Sequence, residues 1–84
     1  MNVYVVIAQS VPLDEFIESN FDESDRCRVR DGVWMVRSSH LTSSEVVSDL
    51  GIKTNLSGIV IKAANYDGRA SREIVQKLSA WEKE

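Results

Sequence analysis

The chain opens on Val3-Tyr4-Val5-Val6-Ile7-Ala8, a nearly unbroken run of β-branched residues. Such a run marks a strand covered on both faces or lying centrally in a sheet, because a half-solvated strand alternates apolar with polar positions. Behind it, Leu13, Phe16, Ile17 and Phe21 recur at helical spacing, with Asp14, Glu15 and Glu18 between them. Ser10 stands where a cap belongs, and Pro12 falls in the first turn, where its missing N–H costs nothing. A helix ending near Asn20 is therefore predicted.

From Arg26 to Arg37 the alternation becomes strict around Asp31-Gly32. That dipeptide favours a two-residue type I′ hairpin turn, in which both central residues need positive φ. Such a turn fixes register, pairing Arg30 with Val33, Val29 with Trp34, Arg28 with Met35, Cys27 with Val36 and Arg26 with Arg37. One hairpin face then carries Cys27, Val29, Trp34 and Val36, and the other carries Arg26, Arg28, Arg30, Val33, Met35 and Arg37.

Thr42-Ser43-Ser44-Glu45 has the spacing of a capping box, so a helix is predicted with Val46, Val47 and Leu50 inward and Gly51 as its stop. Gly58 to Ala64 reads as a further apolar strand, and Asn65-Tyr66-Asp67-Gly68 breaks it. Ser71 to Trp81 forms a last helix with Ile74, Val75, Leu78 and Trp81 on one stripe. The order is that of an α+β, ferredoxin-like split βαββαβ two-layer sandwich on an antiparallel sheet, with an additional C-terminal helix, as a single domain spanning 1–84. This arrangement sets the first and third strands centrally and puts helices on one sheet face. Unless the last helix folds across it, the opposite face is open and is the natural place for function.

Composition narrows the possibilities. At 84 residues there is room for one domain, and 43% hydrophobic with 27% charged residues is ordinary for a globular chain. A core this thin favours a surface function over a deep pocket. Cys27 is the lone cysteine, which excludes an internal disulfide, a four-cysteine zinc site and a CxxC pair, and it reads as inert packing. The first apolar run stops at Gln9-Ser10, too short for a signal peptide or a membrane span, so a cytoplasmic location without membrane association is expected. Asn55-Leu56-Ser57 then matches the glycosylation sequon only by accident.

The net charge of −3, from 10 Lys and Arg against 13 Asp and Glu, conceals an uneven layout. Asp14, Glu15, Glu18, Asp22, Glu23 and Asp25 fall in a stretch with no basic residue, whereas register gathers Arg26, Arg28, Arg30, Met35 and Arg37 on the open face, joined by Lys62 and Tyr4. Three readings of that face stand. It is an RNA- or DNA-contacting sheet with Tyr4 as a stacking ring, an edge kept from aggregating by its arginines, or a homodimer interface burying Met35, Val33 and Tyr4.

Gly68, Arg69, Ser71 and Arg72, between strand and helix, form a weaker candidate for binding an anion, against the simpler reading that Asp67 caps the helix. His40 sits beside Ser38 and Ser39, but no acid is spaced to complete a nucleophile-and-base set, and a hinge explains it. One Cys and one His cannot build a zinc site, so no metal or cofactor is expected.

The pattern Val33-Trp34-Met35-Val36, then Ser38-Ser39, then the capped helix from Thr42 to Leu50 resembles the small ferredoxin-like proteins related to the CRISPR-associated dimeric nuclease and adaptation subunit, including the SinR-like proteins. The resemblance covers roughly residues 2 to 64 and implies homodimerisation and a surface for nucleic acid or a protein partner. In that family an aspartate ends the first strand as the metal-binding nuclease residue. Here the strand ends Val6-Ile7-Ala8-Gln9-Ser10, so metal-dependent phosphodiester cleavage has no ligand there. The expectation is a non-catalytic cytosolic interaction module, homodimeric, using an uncovered sheet face or edge. The alternatives are an RNA- or DNA-binding or degenerate nuclease-like protein acting through the basic hairpin face, and a small inhibitor of a host defence complex.

Overall fold

In a computed structural model, which describes residues 1–52 and 56–83, four strands form one antiparallel sheet with three helices. In chain order the elements are β1 (Asn2–Ala8), α1 (Val11–Asn20), a single 3₁₀ turn (Glu23–Asp25), β2 (Arg26–Arg30), β3 (Val33–Ser38), α2 (Ser43–Asp49), β4 (Gly58–Ala63) and α3 (Arg72–Glu82). The strand order is β2-β3-β1-β4, so β1 and β3 are central, as their apolar runs predict.

Alternation along β1 and β3 sorts side chains onto two faces. Tyr4, Val6, Trp34 and Val36 point to the face covered by α1 and α2, where they pack with Leu13, Ile17, Val46 and Leu50 into the larger core. Trp34 donates its Nε1–H to Asp14 Oδ1 at 2.6 Å, which ties this core to α1. The other face is not open. There α3 lays Ile74, Leu78 and Trp81 over Cys27, Met35, Val3 and Val5 as a second, smaller core.

Helix ends follow local chemistry, with two departures from expectation. Thr42 Oγ1 accepts from the Glu45 N–H at 3.3 Å, the forward half of the capping box, and α2 stops at Gly51 with φ +68. The Gly51 N–H reaches the Ser48 carbonyl and the Ile52 N–H the Val47 carbonyl, the paired bonds that close a helix at a left-handed residue. Ser10, by contrast, makes no side-chain cap on α1; its Oγ accepts from the Ser57 N–H at 3.2 Å and fastens the entry of β4. Asp67 is not the cap of α3 either. Ser71 occupies that position, accepting from the Ile74 N–H, while Asp67 Oδ1 accepts from the Gly68 N–H.

The hairpin carries the principal correction. Gly32 adopts φ +79 but Asp31 keeps a negative φ, so the turn is not type I′. A turn of mismatched hand splays its strands, and here an irregularity at Val29 absorbs the difference. Arg28 pairs with Trp34 and Arg30 with Val33, so Val29 is left bulged between them. Beyond the bulge the register is Arg26 with Val36 and Cys27 with Met35, one residue from the predicted pairing. A one-residue slip exchanges faces. Cys27 therefore joins Met35 beneath α3, and Arg26 and Arg28 move to the face of Trp34 and Val36.

Candidate functional site

The slip disperses the basic set that the sequence gathers. Arg26 donates from Nη1 to the Phe21 carbonyl at 2.5 Å, and the Arg28 guanidinium lies over the Trp34 ring, 5.4 Å from its centroid, with Nη2 3.1 Å from Asp31 Oδ1. On the other side of the sheet, Arg37 is held 2.8 Å from Asp25 Oδ1 and stacks 5.3 Å from the Trp81 ring centroid. Met35 is buried beneath α3. Tyr4 is fully buried in the larger core and offers no stacking face. Lys62, its neighbour across β1 and β4, donates from Nζ to the Leu41 carbonyl at 2.7 Å. Arg30 remains exposed at the end of β2.

Next to α3 the segment 66–70, the helix and the bulged Val29 border a groove of about 300 Å³ floored by Met35, Ile74 and Leu78, with Arg69 and Glu82 on its rim. Gly68 and Arg69 line it, whereas Ser71 is engaged in capping α3. The charges on the rim have opposite signs, and burial together with Glu82 pushes the Tyr66 hydroxyl up from its ordinary value, against the pull of Arg37. The groove offers apolar contact more than anion capture.

His40 has acids beside it after all, and they come from α2. Its Nε2 lies 2.5 Å from Asp49 Oδ2 and its Nδ1 3.3 Å from Glu45 Oε2. Spaced four apart on one helix, the two carboxylates meet the ring from both sides. Both ring nitrogens are engaged, and Ser38 Oγ accepts from the His40 main-chain N–H at 3.1 Å, so this cluster is not assembled as a base with a nucleophile. Among the described residues no group of three His, Cys, Asp or Glu side chains is arranged to hold a metal ion. The Glu45–Asp49 spacing beside a lone His was the available signal.

The last region is β4. It is an edge strand, and α3 reaches only the β2, β3 and β1 side of its face. Ile59 and Ile61, aligned with Ile7 and Val5 on that face, are consequently 55% and 48% exposed. On the opposite face Val60 packs against the larger core. A continuous apolar run conceals this division, because nothing in it marks which alternate residues a distant helix will leave bare. Among the described residues no helix is long and apolar enough to cross a membrane. Comparison with family models, curated proteins and solved structures finds no match for this chain.

Proposed function

We propose that the chain is a non-catalytic interaction module, cytosolic in its setting, that assembles as a homodimer through the free edge of β4 and the apolar strip beside it. The observation that carries this reading is the pair of exposed isoleucines, Ile59 and Ile61, on the strand that ends the sheet, with no strand on its outer side among the described residues. Aliphatic side chains beside an open row of backbone donors and acceptors form a ready template for another strand. The βαββαβ order with β1 and β3 central supports the ferredoxin-like reading of the fold. The family likeness, carried by the sequence pattern alone, is in keeping with a dimer.

Self-pairing has a favourable register. Two β4 strands set antiparallel and centred on Val60 place Ile59 opposite Ile61 of the partner subunit on one face, and Lys62 opposite a glycine on the other. The strand's only charge then meets no like charge. Four half-exposed isoleucines contribute on the order of 1 kcal/mol each when covered. Association entropy costs at least about 4 kcal/mol, so strand hydrogen bonds must supply the surplus and a weak dimer is expected.

Light scattering across a concentration series should show 9.4 kDa monomers giving way to dimers, with Ile61→Lys shifting the midpoint upward while leaving the circular dichroism unchanged. A wild type that stays monomeric up to about 1 mM, where association is worth only about 4 kcal/mol, removes the homodimer. Salt-sensitive retention on a polyanion column that is lost in an Arg28→Ala, Arg30→Ala double variant would favour the nucleic-acid reading instead.

A further inference from the structure

We propose that His40 is a proton-operated latch, holding the β3–α2 connection against α2 and β1 while its ring is doubly protonated and loosening it when one proton leaves. The geometry is specific to a cation. An imidazolium donates from both nitrogens, and here both face carboxylate oxygens on α2, Asp49 at 2.5 Å and Glu45 at 3.3 Å. A neutral ring keeps one N–H and turns a lone pair toward the other carboxylate. The two arms cannot both survive deprotonation.

The same residue is held from a second direction. Its carbonyl accepts from the Tyr4 hydroxyl at 2.6 Å and from Asn2 Nδ2 at 2.9 Å, both on β1. Ring and carbonyl together bridge a helix to the central strand, and Tyr4 is fully buried. From β3, Ser38 Oγ accepts the His40 N–H, and from β4, Lys62 Nζ donates to the Leu41 carbonyl. Among the described residues Lys62 is a nearby cation, and it is spent on the adjoining residue. Glu45 is held as an anion by the Thr42 hydroxyl and the main chain of Leu41 and Thr42, so it is ionised and ready to receive the His40 proton contact.

Because Asp49 makes the shorter contact, the remaining proton stays on Nε2 and the Glu45 arm is the one released. The hydrogen bond to Asp49, aided by the charges of Asp49 and Glu45, raises the His40 pKa above its ordinary value against a smaller opposing desolvation. A raised pKa fixes the sign. The stabilisation is complete below the unfolded value of about 6.5 and is lost as pH rises through the folded value. The latch is shut below the unfolded value and loosened above the folded one.

His40 is the only histidine, so its titration can be followed by NMR without assignment ambiguity. Its pKa should lie above 6.5, fall in both Glu45→Gln and Asp49→Asn, and leave the Nε2–H tautomer at high pH. The melting temperature of the wild type should drop as pH passes through that titration, and His40→Gln should lack the step. A His40 pKa at or below 6.5, an Nδ1–H tautomer at high pH, or a His40→Gln profile that keeps the step would each overturn the latch. Should His40→Gln not fold, the wild-type pKa and the two carboxylate variants decide.

Discussion

Gly58 shows how much a single missing carbon can matter. A Cβ built there would lie 2.7 Å from Leu13 Cδ2 and 2.8 Å from the Ile7 carbonyl oxygen. The leucine tip can move, but the carbonyl belongs to the central strand and cannot without breaking the β1–β4 ladder. Gly58→Ala should therefore destabilise by about 1–3 kcal/mol, the range of an overpacked site, in urea denaturation. A loss under about 0.5 kcal/mol, the scale of an ordinary surface change, would mean that β1 yields more easily than the ladder implies. The sequence marks Gly58 only as the start of a strand, because its tightness depends on where α1 sets Leu13. Tyr4 was misplaced for a related reason. Its β-branched neighbours point to a buried strand, but the strand alone does not say which face its hydroxyl will serve; that follows from the position of the His40 carbonyl.

Elements were more legible than their pairing. The strands and helices fall where periodicity puts them, and α1 ends at Asn20 as its spacing requires, although two of the expected caps are not the ones used. The hairpin register was not legible, since Val29 continues the alternation and nothing in composition distinguishes a bulged valine from a paired one. The seat of α3 was equally hidden. It is fixed by contacts to a segment more than 50 residues earlier in the chain: Trp81 Nε1–H donates to the Ser24 carbonyl at 2.8 Å, and Lys77 Nζ donates to the carbonyls of Glu23 and Arg26. Beneath the helix, burial raises the Cys27 thiol, partly offset by Lys77, so the thiolate is scarce as well as covered. Trp81→Ala should cost about 3–5 kcal/mol and speed Cys27 modification by a thiol reagent, whereas Trp34→Ala should lower stability with a smaller effect on Cys27 in the folded state. Equal labelling rates in wild type and Trp81→Ala would show that α3 stays seated without its tryptophan.

At the scale of the whole molecule, the uneven charge inferred from sequence persists, but its parts are put to use at home. Asp25 holds Arg37, Asp14 receives Trp34, and Arg26 closes the loop after α1. Raising salt should accordingly weaken stability only modestly, because exposed pairs such as Arg28 with Asp31 are worth about 1 kcal/mol or less. A drop of several kcal/mol between low and about 1 M salt, where screening extends to about 3 Å, would indicate that long-range attraction between the acidic and basic segments matters more than these contacts.

The kink at Val29 sets a limit on growth. A sheet with two equivalent free borders can add copies at both and lengthen into a filament, but here one border is bent and lined by Arg28 and Arg30 while the other is regular and apolar. If two regular borders pair as proposed, each outer margin of the pair is the bent one, so addition is expected to stop after that single step. Deleting Val29 straightens that margin, and concentrated samples should then scatter as species larger than a pair; an unchanged size distribution would show that the arginines alone stop the chain reaction.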